Sequence, residues 1–186
     1  MERKALKLKD GRKATIRPLA KSDAELLCRC FRRYSAEARR NFAPHPFSRE
    51  TAEKLCTCLP QDAASLRYII AAGRGAQEKP FGYAILYQLD QKVPLLAIGL
   101  ADEATGQGLG RQVAEFQIEV ARRHGFAKVG LCVMMRNTRA RMLYESMGFT
   151  YQGHRFWDDH GKGWSLRMEK NIRERKGNNV WQDDTA

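Results

Sequence analysis

The sequence is short of acid: 21 Asp and Glu stand against 33 Lys and Arg, a net charge of +12 over 186 residues. Such a balance implies an anionic partner, and nucleic acid, a membrane surface or a polyphosphate all qualify. No apolar run approaches the ~18 residues of a membrane span, so no membrane partner is expected. The opening Met1-Glu2-Arg3-Lys4 leads into charged alternation and not into an apolar signal core, which reads as a soluble, cytoplasmic protein. Cysteines number five, an odd count that argues against a closed disulfide framework. Four of them form the C-x-C pairs Cys28/Cys30 and Cys56/Cys58. A separation of two on a helix points side chains about 200° apart, so these read as free thiols and no metal is expected. Cys132, in a strand-like run, is expected in the core. Charged residues make up only 29% and apolar residues 43%, enough for one packed domain. It is expected over residues 1–170, with a polar tail over 171–186.

Periodicity supplies the elements. Leu6 and Leu8 alternate with lysines, Asp10-Gly11 supplies a turn, and Ala14 to Arg17 returns as a hairpin ended by Pro18. Ser22-x-x-Glu25 predicts a capping box. Behind it Leu27, Cys30, Phe31 and Tyr34 line one face of a first helix. Arg39 to Phe47, with two prolines flanking His45, reads as a loop. Ser48 caps a second helix with the stripe Ala52, Leu55, Cys56 and Leu59, stopped at Pro60. Strands follow at Tyr68 to Ala72, at Phe81 to Leu89 in strict alternation, and at Val93 to Leu100, where Gly99 marks a bulge. A third helix buries Leu109, Val113, Phe116 and Val120 and stops at His124-Gly125. Val129 to Val133 is a strand. Ala140, Leu143, Tyr144 and Met147 define a last helix, and Phe149 to Trp157 pairs with Trp164 to Met168. The order is β-β-α-α-β-β-β-α-β-α-β-β, a mixed α/β (α+β) domain.

The strand-to-helix turn at its centre reads Thr105-Gly106-Gln107-Gly108-Leu109-Gly110. Glycines at a helix start expose consecutive backbone N–H groups to an anion. A plain tight turn remains the alternative from the glycines alone. Walker A is excluded because no Lys-Ser/Thr follows Gly110, and the spacing G-x-G-x-G disfavours the dinucleotide fingerprint G-x-G-x-x-G.

One strand later comes Asn137-Thr138-Arg139-Ala140-Arg141-Met142-Leu143-Tyr144-Glu145-Ser146-Met147-Gly148-Phe149. Together the two segments resemble the acetyl-CoA-binding core of the GNAT (Gcn5-related N-acetyltransferase) superfamily. The first resembles its turn Q/R-x-x-G-x-G/A. The second resembles N-x-x-A-x-x-L-Y-E-x-x-G-F at Asn137, Ala140, Leu143, Tyr144, Glu145, Gly148 and Phe149. The resemblance is firm over about residues 80–170. It implies a mostly antiparallel central sheet flanked by helices, with central strands that splay apart, here after Gly99. It implies transfer of acetyl from acetyl-CoA to a primary amine, a small molecule or a protein lysine, by direct attack in a ternary complex. The diphosphate would meet the backbone of Gln107, Gly108, Leu109, Gly110 and Arg111, and pantetheine would pair near Leu100. Tyr144 would protonate the departing thiolate, and Asn137 would hold pantetheine or a water. Arg111, Arg136, Arg139 and Arg141 are candidates for the phosphates.

Two positions depart from the family pattern. Thr105 replaces Gln/Arg. Pro94 to Leu100 carries no carboxylate, where many relatives place a Glu base. His45, Glu103, Asp158, Asp159 and His160 are the alternatives. The acceptor is unidentified, and its site would draw on the first helices and the last hairpin. Those carry Arg32, Arg33, Arg39, Arg40, His45, Phe47, Arg155, Trp157, Asp158 and Asp159; arginines there suit an acid-bearing acceptor. A homodimer is left open. The rival readings are a non-catalytic acetyl-CoA sensor and, disfavoured for want of any recognition motif, a nucleic-acid-binding protein.

Overall fold

The computed structural model describes residues 3–42, 44–57, 64–73, 75–157 and 163–173. Cys58, Leu59, Pro60, Asp158, Asp159 and His160, and the tail beyond Arg173, lie outside the described residues. The elements run β1 (Lys4–Lys7), β2 (Lys13–Pro18), α1 (Ala24–Arg32), α2 (Ala36–Asn41), α3 (Arg49–Thr57), β3 (Ser65–Ala72), β4 (Lys79–Tyr87) and β5 (Leu95–Leu100). They continue with α4 (Leu109–Arg123), β6 (Lys128–Met134), α5 (Thr138–Ser146), β7 (Thr150–Trp157) and β8 (Gly163–Asn171). The fold is thus mixed α/β, and its strands form one sheet in the order β1-β2-β3-β4-β5-β6-β8-β7. Every described pairing is antiparallel except that of β5 with β6.

Both faces of the sheet are covered, which is why β3 and β4 read as almost continuous apolar runs. On β3, Tyr68 and Ile70 join the core under α4 and α5, while Ile69 and Ala71 join the core under α1 and α3. The strict alternation expected along Phe81 to Leu89 is broken by a bulge. Ile70 pairs with Gly82 but Ala71 pairs with Pro80, so Phe81 is the extra residue. Phe81 therefore packs with the α4 core while Tyr83 and Ile85 pack with the α1 core. Gly99 marks no bulge; it stays in register opposite Tyr83. A Cβ there would meet the Phe42 ring at 2.4 Å, so the missing side chain serves close approach.

Two helix starts differ from expectation. The Ser22–Glu25 box does not form. The chain enters α1 through a single 3-10 turn, and the Asp23 carboxylate accepts from Ala20 N–H at 2.7 Å. Glu25 pairs instead with Arg32 and Arg49. The expected loop from Arg39 begins as the end of α2, whose Ser35 Oγ accepts from Ala38 N–H. That helix buries no residue, so it left no apolar stripe to read. Past residue 170, Ile172 is 2% exposed and donates its N–H to Ala127, inside the fold. No described helix is long and apolar enough to cross a membrane.

Candidate functional site

The parallel contact of β5 with β6 is confined to Leu95 opposite Gly130, tightened by Gly130 N–H donating to Pro94 at 2.8 Å. Beyond it the strands part. The divergence therefore begins at Leu95, not after Gly99 as expected, and Leu100 ends β5 well inside the fork. On each side of this fork lies a distinct environment.

On one side stands the N-terminus of α4. Gly106 and Gly108 have φ of +78° and +82°, a conformation that costs other residues about 1–2 kcal/mol. A Cβ on Gly106 would meet nothing within 4 Å, so this turn opens onto free space. The first backbone bond of α4 runs from Gln112 N–H to Gly108 at 3.5 Å. The amides of Leu109, Gly110 and Arg111 precede it and have no acceptor within the helix. Gly110 has a packing reason of its own: its Cβ would press on Leu143 at 3.2 Å, so α5 closes against α4 there. Arg111 bridges the same helices, donating to Ser146 Oγ at 2.6 Å. This geometry suits a diphosphate, which needs N–H donors and clear space.

The turn is also braced from below. Gln107 accepts from Lys9 N–H through its carbonyl at 3.1 Å and from Asp10 N–H through Oε1 at 3.2 Å. Gln112 clasps the backbone of Lys7 with Oε1 at 3.1 Å and Nε2 at 2.8 Å. The side chain of Lys9 is thereby laid beside Gly108, with Cγ and Cε both 3.9 Å from where a Cβ would stand. No feature of the sequence marked Lys9, because the contact spans two distant segments.

Asn137 caps α5, its Oδ1 accepting from Ala140 N–H at 3.2 Å. Tyr144 is 8% exposed and sits edge-on to Phe149 at 5.6 Å. Burial pushes its phenol up to about 12, so it holds its proton throughout the neutral range. Of the other arginines, Arg136 reaches back to α2, donating to the Arg40 carbonyl at 3.0 Å, and Arg141 donates to Met135. Arg139 is exposed. Arg111 alone of the four stands on the first turn of α4.

On the other side of the fork is a cavity of about 670 Å³. Ala97, Cys132 and Met134 from the fork line it, with Arg67, Ile85 and Tyr87 from β3 and β4, Phe42 and His45 from the α2–α3 loop, and Ser165 from β8. Cys132, expected in the core, is exposed. It belongs to β6 beyond the single Leu95–Gly130 pairing and lies on the cavity wall. Arg67 was not foreseen; a single charge ahead of the apolar Tyr68 to Ala72 reads as a strand end.

The expected acceptor residues scatter. Arg32 pairs with Glu25, and Arg33 pairs with Glu103, which Lys79 also holds at 3.3 Å. Arg39 donates to the carbonyls of Tyr34 and Phe31 and lies over the Phe47 ring. Arg155 is exposed, Arg40 lines the cavity, and the Trp157 side chain is outside the described set. Of the base candidates, Glu103 is committed to its ion pairs, whereas His45 lines the cavity. Its Nδ1 lies 2.8 Å from the Pro46 carbonyl. Among the described residues no group of three or more His, Cys, Asp or Glu is placed to hold a metal ion.

Comparison with known proteins bears on the whole arrangement. The chain resembles the mycothiol acetyltransferase of Beutenbergia cavernae, at 38% identity over 73 residues. That stretch is 36% of this chain and 25% of the relative, so the chain spans a quarter of the curated protein it matches. Solved structures agree in fold. The spermidine N-acetyltransferase of Vibrio cholerae, in complex with CoA and spermine, matches with a TM-score of 0.69 at 22% identity, over 86% of this chain and 95% of the other. The ribosomal-protein-S5-alanine acetyltransferase of Vibrio fischeri matches with a TM-score of 0.74 at 14% identity, over 92% and 98%. The model of the acetyltransferase (GNAT) family matches residues 26–149, which takes in the fork, the glycine turn and α5. A match over more than half of the chain decides the assignment: this chain belongs to the GNAT family of acetyltransferases.

Proposed function

We propose that the protein transfers an acetyl group from acetyl-CoA to a primary amine by direct attack in a ternary complex. The observation that carries this reading is the fork, with an amide-rich turn on one side and a cavity on the other. The backbone of Gln107, Gly108, Leu109, Gly110 and Arg111 receives the diphosphate. The parted edges of β5 and β6, from Leu95 toward Leu100, receive the pantetheine arm in place of the strand pairing they lack. The amine enters from the cavity, and its nitrogen lone pair attacks the thioester carbonyl carbon. The carbon–sulfur bond then breaks, and the departing thiolate takes a proton donated by Tyr144. Asn137 keeps its Nδ2 for pantetheine or a water while Oδ1 caps α5.

Calorimetry with CoA tests the first half: one site per chain with micromolar affinity is expected, and no binding would remove the reading. Thiol release from acetyl-CoA tests the second half, with spermidine, glucosamine, free amino acids and a short peptide beginning with alanine as acceptors. Turnover above hydrolysis with at least one amine is expected. Binding with no turnover on any amine would favour a coenzyme sensor.

A further inference from the structure

Strand β5 carries no carboxylate to take the acceptor's proton, and Glu103 is bound up with Arg33 and Lys79. An amine of ordinary basicity arrives protonated near neutral pH and has no lone pair with which to attack. We infer that His45 is the base that takes this proton, as the acceptor fills the cavity between the α2–α3 loop and the fork. The inference rests on the acetyl-transfer reading above.

Three observations carry it. First, His45 lines the cavity that reaches Ala97, Cys132 and Met134 at the fork. Second, the ring is held in one pose. Its centroid lies 5.4 Å from that of Phe31, 5.7 Å from Phe47 and 5.7 Å from Tyr83, and prolines flank it at 44 and 46. Third, its nitrogens are differentiated. Nδ1 faces the Pro46 carbonyl at 2.8 Å, which only an N–H can satisfy, so Nδ1 carries the proton and Nε2 keeps its lone pair. That Nε2 is buried and has no hydrogen-bond partner among the described residues. A buried acceptor left unmatched costs stability and calls for an explanation. An amine N–H donated into it as the seated acceptor displaces the covering wall supplies the missing partner; catalytic contacts in free enzymes are commonly looser than in the complex.

The surroundings keep the ring in its basic form. Facing it are Arg67 from β3, Tyr83 from β4 and the rings of Phe31 and Phe47, none of them an acid; the acid on the cavity wall, Asp90, is not among the groups that shift it. Burial first, with the Arg67 charge behind it, holds the imidazole below its usual pKa. At pH 7 it is neutral and able to accept. The protons balance: Nε2 takes one from the ammonium and later passes it to water. The second, shed by the nitrogen after attack, passes through solvent to restore the proton that Tyr144 gives the thiolate.

Two measurements on the full chain test this. In nitrogen-15 NMR of the free protein, His45 is expected neutral at pH 7 with the proton on Nδ1. A ring charged at pH 7, or protonated on Nε2, would overturn the assignment. Kinetics use the most active amine of the panel above. His45→Asn keeps a donor for the Pro46 carbonyl but has no Nε2. It is expected to lower kcat/KM at pH 7 by about 100-fold or more while CoA affinity stays within about twofold. Its log kcat/KM is expected to climb steadily toward the amine's own pKa, whereas the wild type levels off near neutral pH. His45→Ala, with the ring gone, is expected to regain rate on adding imidazole. Parallel wild-type and His45→Asn profiles, or loss uniform across pH, would sink the base role and leave acetyl transfer standing. Failure of CoA to bind would instead remove the acetyl-transfer reading, and the base with it.

Discussion

In the proposed reaction Tyr144 is a donor that does not ionise near neutral pH. Its ring packs on Phe149 and its phenol is pushed up to about 12 by burial. A free thiol has a pKa of about 8–9, so under the proposed mechanism the phenol would steady the leaving sulfur as a hydrogen-bond donor before any proton moves. Removing one oxygen leaves the ring contact with Phe149 in place. Tyr144→Phe is therefore expected to lower kcat by about 10- to 100-fold with CoA affinity within about twofold. Steady-state kinetics paired with calorimetry check it, and equal losses in both would mean the hydroxyl serves binding. Because the folded-state pKa lies above the unfolded value of 10.0, this group introduces no inflection between pH 6 and 9. Any acid-side fall in rate in that window belongs to another residue.

Among the elements, the junction of β2, α1 and β4 depends on one guanidinium. Arg17 donates to both oxygens of Asp23, at 2.6 and 2.9 Å, and to Glu78 at 3.0 Å. Its side chain is 16% exposed and that of Asp23 is 8% exposed. Deleting one partner of such a pair leaves the other charge buried. Arg17→Met is expected to destabilise by about 3 kcal/mol, read as a lower urea midpoint at unchanged slope. An effect under about 1 kcal/mol would show the acids resolvated instead. This junction also shows what the sequence could reveal. A helix start at Ser22–Glu25 was legible, but the partner that Asp23 takes comes from β2, and no local spacing encodes that contact. Local patterns did carry most of the elements: the hairpin at Asp10-Gly11, the α4 stripe and its glycine stop, and α5. They failed where an element buries nothing, as in α2, or where a strand departs from one neighbour to wall a cavity, as at Cys132. The glycine turn and the α5 motif were legible because each is contiguous. The cavity was not, since Arg67, His45 and Cys132 meet only when β3, the α2–α3 loop and β6 are brought together.

For the molecule as a whole, the glycine turn before α4 is not an isolated loop but is tied to the N-terminal hairpin. Gln107 and Gln112 bond to the backbone of Lys7, Lys9 and Asp10 and so splice β1–β2 onto the start of α4. Each such bond is worth about 1 kcal/mol, enough to couple two segments distant in sequence. Anything that orders the turn must then order the hairpin. CoA at one hundred times its dissociation constant adds about 2.7 kcal/mol, which raises the melting temperature by roughly 5–10 °C in a chain of this size. Hydrogen exchange is expected to slow over residues 7–13 as well as over 105–112. Gln112→Ala removes the clasp on Lys7, and with it a long bond to the Gly108 carbonyl, but leaves the backbone amides of Leu109, Gly110 and Arg111 in place. That variant is expected to keep most of the thermal gain and the protection over 105–112 while losing protection over 7–13. A hairpin that exchanges at one rate with and without CoA in the wild type would show that the two segments touch but do not act together.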